Sequence, residues 1–277
     1  MAKKNWLITG ISSGIGKALA EAVLAKGDFV IGSFRKKEQA ESFNQQYKGK
    51  GYAFVLDITD GAGMATCIQN VHNRFGAIDV LVNNAGYGLL GAIEELSIEE
   101  ARAQMETNFF GTLQMTKSVL PIMRKQKKGM IIQISSASGI RSTPGFGLYN
   151  ASKFALEGFS EALAGELKPL GISVMLVEPG PFRTAFAGYS LVQAKERIAD
   201  YESTAGRFRM VMMERNGRQD GDPVKAAAAI IAAANAAIPP LRLVLGKSAM
   251  ENVNAKIADL QRDMREWESV SVTTSFD

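Results

Sequence analysis

The composition of this 277-residue chain is that of an ordinary globular domain. Hydrophobic residues make up 46% and charged residues 22%, which excludes disordered, collagen-like and disulfide-stapled proteins. The formal net charge is only +4, and the basic residues are spread along the chain, so we expect no nucleic-acid partner. The single cysteine, Cys67, cannot form an internal disulfide, and Met1 leads directly into a predicted strand. We therefore expect a cytoplasmic protein.

Apolar segments of strand length alternate with segments of helical period along most of the chain. The predicted strands are residues 5–9, 29–33, 52–56, 80–83, 130–135, 173–177 and 241–245. The predicted helices are residues 15–25, 37–47, 62–75, 98–127 and 149–170, followed by an alanine-rich helix from Pro223 and a last helix at 249–267. This alternation predicts an α/β fold: a doubly wound, Rossmann-type parallel sheet of about seven strands with helices on both faces. We expect a single domain over residues 1–277.

The longest apolar stretch, residues 226–238, is rich in alanine. It is shorter than the ~20 residues that a helix needs to cross a bilayer. It is better explained as a packed helix, and we expect no membrane partner.

The segment from 181 to 222 interrupts the regular alternation and is too long for an ordinary connection. Its large apolar residues are Phe182, Phe186, Tyr189, Phe208, Met210, Met212 and Met213. We predict a substrate-binding insertion that lines an apolar pocket. Two alternatives stay open: the residues pack the insertion against the domain or fill a subunit interface, and the arginines 183, 207, 209 and 215 leave room for an anionic substrate group. Residues 247–277 form a C-terminal helix and tail.

Three glycines follow the first predicted strand, at Gly10, Gly14 and Gly16, where a helix begins. Backbone N–H groups and the positive end of the helix dipole favour an anion at such a place, and a pyrophosphate would fit. The motif is not a P-loop, because position 11 is Ile11 and the final position is Ala18. Taken alone, the glycines have a second explanation as a tight strand-to-helix turn.

Tyr149 and Lys153 are one helical turn apart, so both side chains lie on one helix face. A nearby ammonium favours the phenolate and lowers the pKa of a tyrosine, which would suit proton transfer. Ser136 follows a predicted strand, at the sheet edge where doubly wound folds bind ligands. Asn108 lies inside a predicted helix, where asparagine has a poor propensity and calls for another reason.

These motifs together resemble the short-chain dehydrogenase/reductase family. The chain carries T-G-x-x-x-G-x-G at 9–16, N-N-A-G at 83–86, Asn108, Ser136, Y-x-x-x-K at 149–153 and P-G at 179–180, in the family's order. The resemblance covers about residues 4–246, and the C-terminal part is similar to the 17β-hydroxysteroid and retinol dehydrogenase branch. It implies an oxidoreductase that transfers a hydride between a nicotinamide cofactor and a carbonyl or secondary alcohol, with a small-molecule substrate.

The resemblance also implies roles for individual residues. Tyr149 would be the general acid or base, Ser136 would hold the substrate oxygen, and Lys153 would bind the nicotinamide ribose and tune Tyr149. Asn108 would support a water in a proton relay. The implied cofactor-binding residues are Gly10, Ser12, Ser13, Gly14, Ile15, Gly16, Asp57, Ile58, Asn84, Ala85, Gly86, Tyr149, Lys153, Pro179, Gly180 and Thr184. Asp57 has a second explanation as the cap of a turn.

The second predicted strand runs into Arg35 without the carboxylate that accepts from a ribose 2′-OH in NAD-binding folds. Arg35 would instead pair with a 2′-phosphate. We therefore expect NADP, with NAD less favoured, although a solvated basic helix start is an alternative explanation of Arg35.

The helix after Tyr149 carries more apolar surface than one sheet contact requires, at Phe154, Ala155, Gly158, Phe159, Ala162 and Leu163. It predicts a homodimer or homotetramer, unless the sheet and the insertion cover that face.

We expect no metal site, since His72 is the single histidine and its neighbours are polar.

Two other functions are kept open. A dinucleotide-sensing regulator would use the cofactor site without chemistry, but the chain keeps Ser136, Tyr149 and Lys153. A sugar-nucleotide epimerase or dehydratase, in the related long-chain group, would carry a different glycine spacing and a larger C-terminal domain.

Overall fold

The computed structural model describes residues 3–188 and 190–276. The described strands are β1 (Asn5–Ile8), β2 (Phe29–Phe34), β3 (Gly51–Val55), β4 (Val80–Asn83), β5 (Gly88–Leu90), β6 (Gly129–Ile134), β7 (Ile172–Pro179), β8 (Leu191–Gln193) and β9 (Arg242–Leu245). The described α-helices are α1 (Gly14–Ala25), α2 (Lys37–Gln46), α3 (Gly61–Phe75), α4 (Ile98–Met105), α5 (Gly111–Gln126), α6 (Gly147–Leu167), α7 (Arg207–Glu214), α8 (Pro223–Ala234) and α9 (Lys247–Ser271).

The main sheet has seven parallel strands in the order β3-β2-β1-β4-β6-β7-β9. Strand order reverses at β1, so the sheet is doubly wound and its switch point lies between β1 and β4. The prediction of a single α/β domain with a seven-stranded parallel sheet is confirmed.

Helices cover both faces of the sheet because successive strand residues point to opposite faces. In β1, Trp6 and Ile8 pack in the core beneath α1, α2 and α8, whereas Leu7 packs in the core beneath α3, α5 and α6. Both cores are closed by fully buried aliphatic side chains, which is why the central strands are almost wholly apolar.

The helix predicted over residues 98–127 is divided in the structure. A π-helical turn, Glu106–Phe110, separates α4 from α5. A π turn adds one residue to the helix locally and is frequent at functional sites. It contains Asn108, whose poor helix propensity the sequence had already singled out.

The insertion at 181–222 contains structure that the sequence did not predict. β8 pairs in parallel with β5, about a hundred residues earlier in the chain, to form a second, two-stranded sheet. The helix α7 follows it, and a bridge between Phe182 and Gly221 ties the two ends of the insertion together. One residue of the predicted apolar set, Tyr189, lies outside the described residues.

The last helix, α9, begins at Lys247 and is longer at both ends than predicted. Within the described parts of the chain, no helix has the length and apolar character required to span a bilayer.

Candidate active site

The glycine turn joins β1 to α1 with two residues in the left-handed region, Gly10 (φ +69°) and Gly14 (φ +61°), where a side chain would be strained. The Ser33 hydroxyl at the end of β2 accepts from the Gly10 N–H at 3.1 Å. At Gly16 a Cβ would lie 2.3 Å from Asn84 Nδ2 and 2.6 Å from the Gly10 carbonyl. The turn is therefore fixed by a close approach that only glycine permits.

Asn84 and Thr9 connect the ends of β4 and β1. The Asn84 amide donates to the carbonyls of Thr9 (2.9 Å) and Gly10 (3.0 Å). The Thr9 hydroxyl accepts from the backbone N–H groups of Asn84 and Ala85. The sequence placed Asn84 and Ala85 at the cofactor, and the structure places them against the glycine turn.

The start of α1 fits the phosphates of a dinucleotide. Its N-cap residue, Ser13, makes no side-chain capping bond, and the first turn contains no acidic residue. The N–H groups of the first turn and the positive end of the dipole are thus left to an anionic group. Ser12 is exposed beside them, and Ile15 is half-buried.

Thr184, in the segment that follows β7, lies against the glycine turn. A Cβ built on Gly14 would lie 3.4 Å from Thr184 Cβ. Pro179 ends β7, and the Gly180 N–H donates to the Leu245 carbonyl. These three predicted cofactor residues therefore lie along the same carboxyl edge of the sheet as the glycine turn.

Arg35 and Asp57 follow the neighbouring strands β2 and β3, and both are exposed. The Asp57 carboxylate accepts from Thr59 N (2.9 Å) and Thr59 Oγ1 (2.8 Å), so it does cap a turn. These hydrogen bonds hold the pKa of Asp57 below its ordinary value, burial acts against them, and the Arg35 charge adds to the lowering. Ile58 is buried, and its carbonyl would be 2.7 Å from a Cβ on Gly111.

Lys153 is buried beside Tyr149, and its ammonium donates to the Ile134 carbonyl at 2.8 Å. Its Nζ lies 5.8 Å from the centroid of the Tyr149 ring. A Cβ built on Gly86 would lie 3.1 Å from Asn108 Oδ1 and 3.9 Å from Lys153 Nζ. Residues far apart in the chain thus converge on one point.

The expectation that Lys153 lowers the pKa of Tyr149 is not what this structure shows. Burial raises the pKa of Tyr149 to about 12, and a hydrogen bond with Ser136 acts in the opposite direction. Burial also lowers the pKa of Lys153 to about 8, against the effect of the Glu157 charge. Burial is the largest cause of both pKa changes, and a phenol with a raised pKa is neutral at pH 7, so Tyr149 can donate a proton.

Ser136 follows β6 and is buried. Its hydroxyl accepts from the Ser138 N–H at 3.1 Å and lies 3.5 Å from the Pro179 carbonyl. It therefore stands between the ends of β6 and β7, within reach of Tyr149.

Asn108 is buried in the π-helical turn, and its amide is fully bonded within the protein. Oδ1 accepts from the Tyr87 N–H at 3.1 Å, while Nδ2 donates to the Tyr87 carbonyl (3.0 Å) and to Ser152 Oγ (3.1 Å). Ser152 in turn donates to the Tyr149 carbonyl at 2.7 Å. Asn108 thus fixes the chain after β4 and the first turns of α6; its role in a proton relay stays a prediction.

Aromatic and thioether side chains pack around the buried ring of Tyr149. Phe146 stacks on the Tyr149 ring with centroids 4.3 Å apart, and Phe186 lies 5.5 Å away. Phe208 and Met212 of the insertion pack against the same cluster. Three of the seven predicted apolar residues, Phe186, Phe208 and Met212, therefore pack against the cluster that contains Tyr149; that they line a substrate pocket stays a prediction.

The other described apolar residues of the insertion and its arginines have different surroundings. Phe182 packs in the main core beside α8, as the packing alternative expected, and Met210 and Met213 are exposed. Among the arginines, Arg209 is buried in an ion pair with Glu95 at 3.0 Å, and Arg183 donates to the Gln219 carbonyl. Arg207 and Arg215 are exposed on the insertion.

The sequence did not predict a buried charged cluster directly behind Lys153. Glu157 lies one turn after Lys153 on α6, and Glu178 lies on β7; both bind the guanidinium of Arg242 from β9. Glu178 is fully buried, and burial together with the Glu157 charge raises its pKa to about 7. The sequence signal was a charge, Glu178, inside an otherwise apolar strand.

His72 has a structural role at the end of α3, since its Nδ1 lies 2.6 Å from the Gly76 carbonyl. In the described ranges there is no group of three or more histidine, cysteine, aspartate or glutamate side chains placed to hold a metal ion.

Comparison with known proteins gives consistent results. A solved short-chain dehydrogenase from Streptomyces avermitilis is 41% identical, with a TM-score of 0.93 over 99% of both chains. The 3-ketodihydrosphingosine reductase of Bacteroides thetaiotaomicron is 40% identical over 87% of each chain. Retinol dehydrogenase 8 of Homo sapiens is 39% identical over 73% of this chain and 66% of its own length.

A further solved structure, ElxO with NADP bound, is 27% identical over 90% of this chain, with a TM-score of 0.74. The family model for short chain dehydrogenases matches residues 4–194. The resemblance drawn from the motifs is therefore confirmed: this chain belongs to the short-chain dehydrogenase family of oxidoreductases, among whose solved structures nicotinamide cofactors are bound.

Proposed function

We propose that this protein reduces a bulky, largely apolar ketone with NADPH, using Tyr149 as the general acid. The observation that carries the proposal is the surroundings of Tyr149: Ser136 and Lys153 on one side, and an apolar wall of Phe146, Phe186 and neighbouring side chains on the other. A buried neutral phenol is a proton donor, which fits the reductive direction.

The residues of this chain would act as follows. A carbonyl oxygen placed between Ser136 and Tyr149 would accept a hydrogen bond from each hydroxyl, which stabilises the charge that develops on it. NADPH, when bound, supplies the hydride. Tyr149 would donate its proton to the oxygen, and the Lys153 ammonium would stabilise the resulting phenolate. The cluster behind Lys153 holds negative charge from Glu157 near the ammonium.

The proposed preference for NADP rests on Arg35. It is exposed at the end of β2, without a carboxylate on that strand end, and the nearby Asp57 is already bonded to Thr59. A guanidinium there suits a 2′-phosphate. The relative ElxO, which was solved with NADP bound, is in keeping with this proposal.

Arg35→Asp tests that preference. We expect the ratio of kcat/KM for NADPH over NADH to fall by at least about tenfold, the loss of one charge-assisted contact of about 1.5–3 kcal/mol. Lys37→Asp, an exposed position in the first turn of α2, is the matched control and should change the ratio less. A wild-type enzyme that uses NADH equally well or better would contradict the proposal.

The apolar substrate is supported by Phe186, Phe208 and Met212, which pack against the cluster around Tyr149, and by relatives named for a sphingoid ketone and for retinol. A series of ketones with growing alkyl chains tests it through the absorbance at 340 nm. Each added methylene is worth about 0.8 kcal/mol at most when buried, so kcat/KM should rise by about two- to fourfold per carbon until the cleft is full. A kcat/KM that does not change with chain length, or a preference for small anionic ketones, would contradict the apolar substrate site. It would leave the assignment as a carbonyl reductase unchanged.

Catalytic turnover of any ketone in this assay also separates the proposal from its two rivals. A dinucleotide-sensing regulator would bind the cofactor without turnover. A sugar-nucleotide epimerase or dehydratase would act on nucleotide sugars and leave simple ketones unchanged.

Self-association through α6 is part of the proposal. Phe154 is 41% exposed, and Gly158 and Ala162 are exposed on the same helix. A Cβ on Gly158 would meet nothing within 4 Å, so there is room for a second copy to approach closely.

We further propose a cytoplasmic location, on the ground that the chain has a single cysteine.

A further inference from the structure

The helix α9 carries an apolar stripe that the described residues of the chain leave largely uncovered. Its members follow a strict alternation of three and four residues: Met250, Val253, Ile257, Leu260, Met264 and Trp267. This is the a/d pattern of a coiled coil sustained over three heptads. Met264 and Trp267 are 72% and 63% exposed, although a heptad stripe is stable only when another helix covers it.

The body of the protein holds only the first half of α9. Ala249 is fully buried, and Asp259 binds Arg141 at 3.3 Å. Asp259 occupies a position outside the a/d stripe. Every described residue from Leu260 to Phe276 is exposed, so the second half of the helix stands away from the domain with its apolar stripe open.

We propose that α9 is a self-association surface, on which the α9 helix of a second copy of this chain lies antiparallel. In that arrangement Met250 meets the partner's Trp267, Val253 meets the partner's Met264, and Ile257 meets the partner's Leu260. Two-fold symmetry repeats each contact, so the same stripe covers itself completely.

The charges beside the stripe select the antiparallel orientation. Lys256 and Asp263 both occupy the g position of their heptads, and g positions face each other in an antiparallel pair. The two symmetric contacts therefore join Lys256 to the partner's Asp263. In a parallel pair Asp263 would instead face the partner's Glu268, a like charge. Within its own helix Asp263 also binds Arg262 at 3.2 Å, an exposed contact that contributes little.

The same charges argue against a membrane as the occupant. The helix carries four basic and five acidic side chains, whereas helices that lie on anionic bilayers are rich in lysine and arginine on the polar face. The surface is also separate from the α6 face proposed above.

Light scattering on the full-length protein after size exclusion tests the proposal. Leu260→Glu and Met264→Glu each place a charge in the seam and should lower the association number by half at concentrations where the wild type is associated. Ser269→Glu, on the opposite side of the same helix, is the matched control and should leave the association number unchanged. Thermal unfolding of each variant checks that the domain is folded.

Exchanging the charges tests the orientation. Lys256→Asp and Asp263→Lys should each weaken association by at least about threefold, since like charges then meet twice at the interface. An equimolar mixture of the two single variants should regain wild-type association as a heterodimer, because every contact is again between opposite charges.

Three results would overturn the proposal. The first is a wild-type protein that stays monomeric, or one that binds phosphatidylserine-containing vesicles through α9 as a monomer. The second is an association number that Leu260→Glu and Met264→Glu leave unchanged, which would place self-association elsewhere. The third is tighter association of Asp263→Lys alone, the result expected of a parallel pair.

Discussion

The two sides of the candidate active site are held in place by different kinds of interaction. On the cofactor side, Thr9, Asn84 and Asn108 bind backbone groups of neighbouring strands and turns. On the insertion side, a buried ion pair between Arg209 and Glu95 attaches α7 to the segment after β5. The side chains on the cofactor side each bind the main chain of another element. The insertion is attached by the pairing of β8 with β5 and, in addition, by this side-chain ion pair, which can be removed without changing a residue of the site.

The largest expected effect comes from the cofactor side. Tyr149→Phe removes the proposed proton donor while keeping the ring that stacks on Phe146, so kcat should fall by roughly 10²–10⁴-fold. Cofactor affinity, measured by fluorescence titration, should change little. Tyr47→Phe, at the end of α2, is the control and should keep wild-type kcat. If Tyr149→Phe retained more than about a tenth of the wild-type rate, its role as general acid would be excluded.

The next effect is expected on the insertion side. Arg209→Ala leaves the Glu95 carboxylate buried without its cation, which should cost about 3 kcal/mol of stability. Glu95 keeps its bonds to the N–H groups of Ala92 and Ile198, so the main sheet should stay folded. Hydrogen exchange should speed up in β8 and α7, and KM for apolar ketones should rise more than kcat falls.

Arg207→Ala, an exposed neighbour on α7, is the control for that experiment. Equal protection of β8 in the wild type and in Arg209→Ala would show that the ion pair does not hold the insertion.

The smallest effect concerns the cluster behind Lys153 and appears as a pH dependence. The pKa of Glu178 is raised to about 7 in the folded protein, above that of an unfolded glutamate, so the folded state binds a proton that the unfolded state has released. The free energy of unfolding should therefore fall by about 1–3 kcal/mol between pH 4.5 and 7. Glu178→Gln should flatten this slope, as chemical unfolding at several pH values would measure.

Glu161→Gln removes an exposed carboxylate from the same arginine, Arg242, and is the control. A slope in Glu178→Gln equal to that of the wild type would assign the pH dependence to another group.

Most of the main sheet was predictable from the sequence because its strands are buried on both faces and each is a continuous apolar run. The ends of those strands also placed Ser136 and Asn84 correctly, since parallel strands present their carboxyl ends at one edge. The four-residue spacing of Tyr149 and Lys153 also predicted correctly that they lie one turn apart on the same helix. These features need only residues that are close in the chain.

The rest required knowledge of long-range contacts. β5 and β8 have three residues each and are strands only because they pair with each other. Nothing in the sequence distinguishes Arg209 and Arg242 from other charged residues. The burial of Arg209 and the ion pairs of both arginines depend on partners about 60 to 115 positions away. The raised pKa of Tyr149 likewise depends on burial, to which Phe186 contributes from the insertion, about 40 positions away, beside Phe146.

The π-helical turn before α5 has a consequence for deletions. Its one additional residue rotates everything that follows by about 100° relative to α4, the angle of one helical residue. Met115, Val119 and Met123 face the core only because of that rotation. Removing a single residue from Glu106–Phe110 would turn these side chains toward solvent and carry Thr116 away from Asn83, which it binds at 3.0 Å. This chain should therefore tolerate a change of length in the exposed part of the insertion at 213–218 far better than the loss of one residue here.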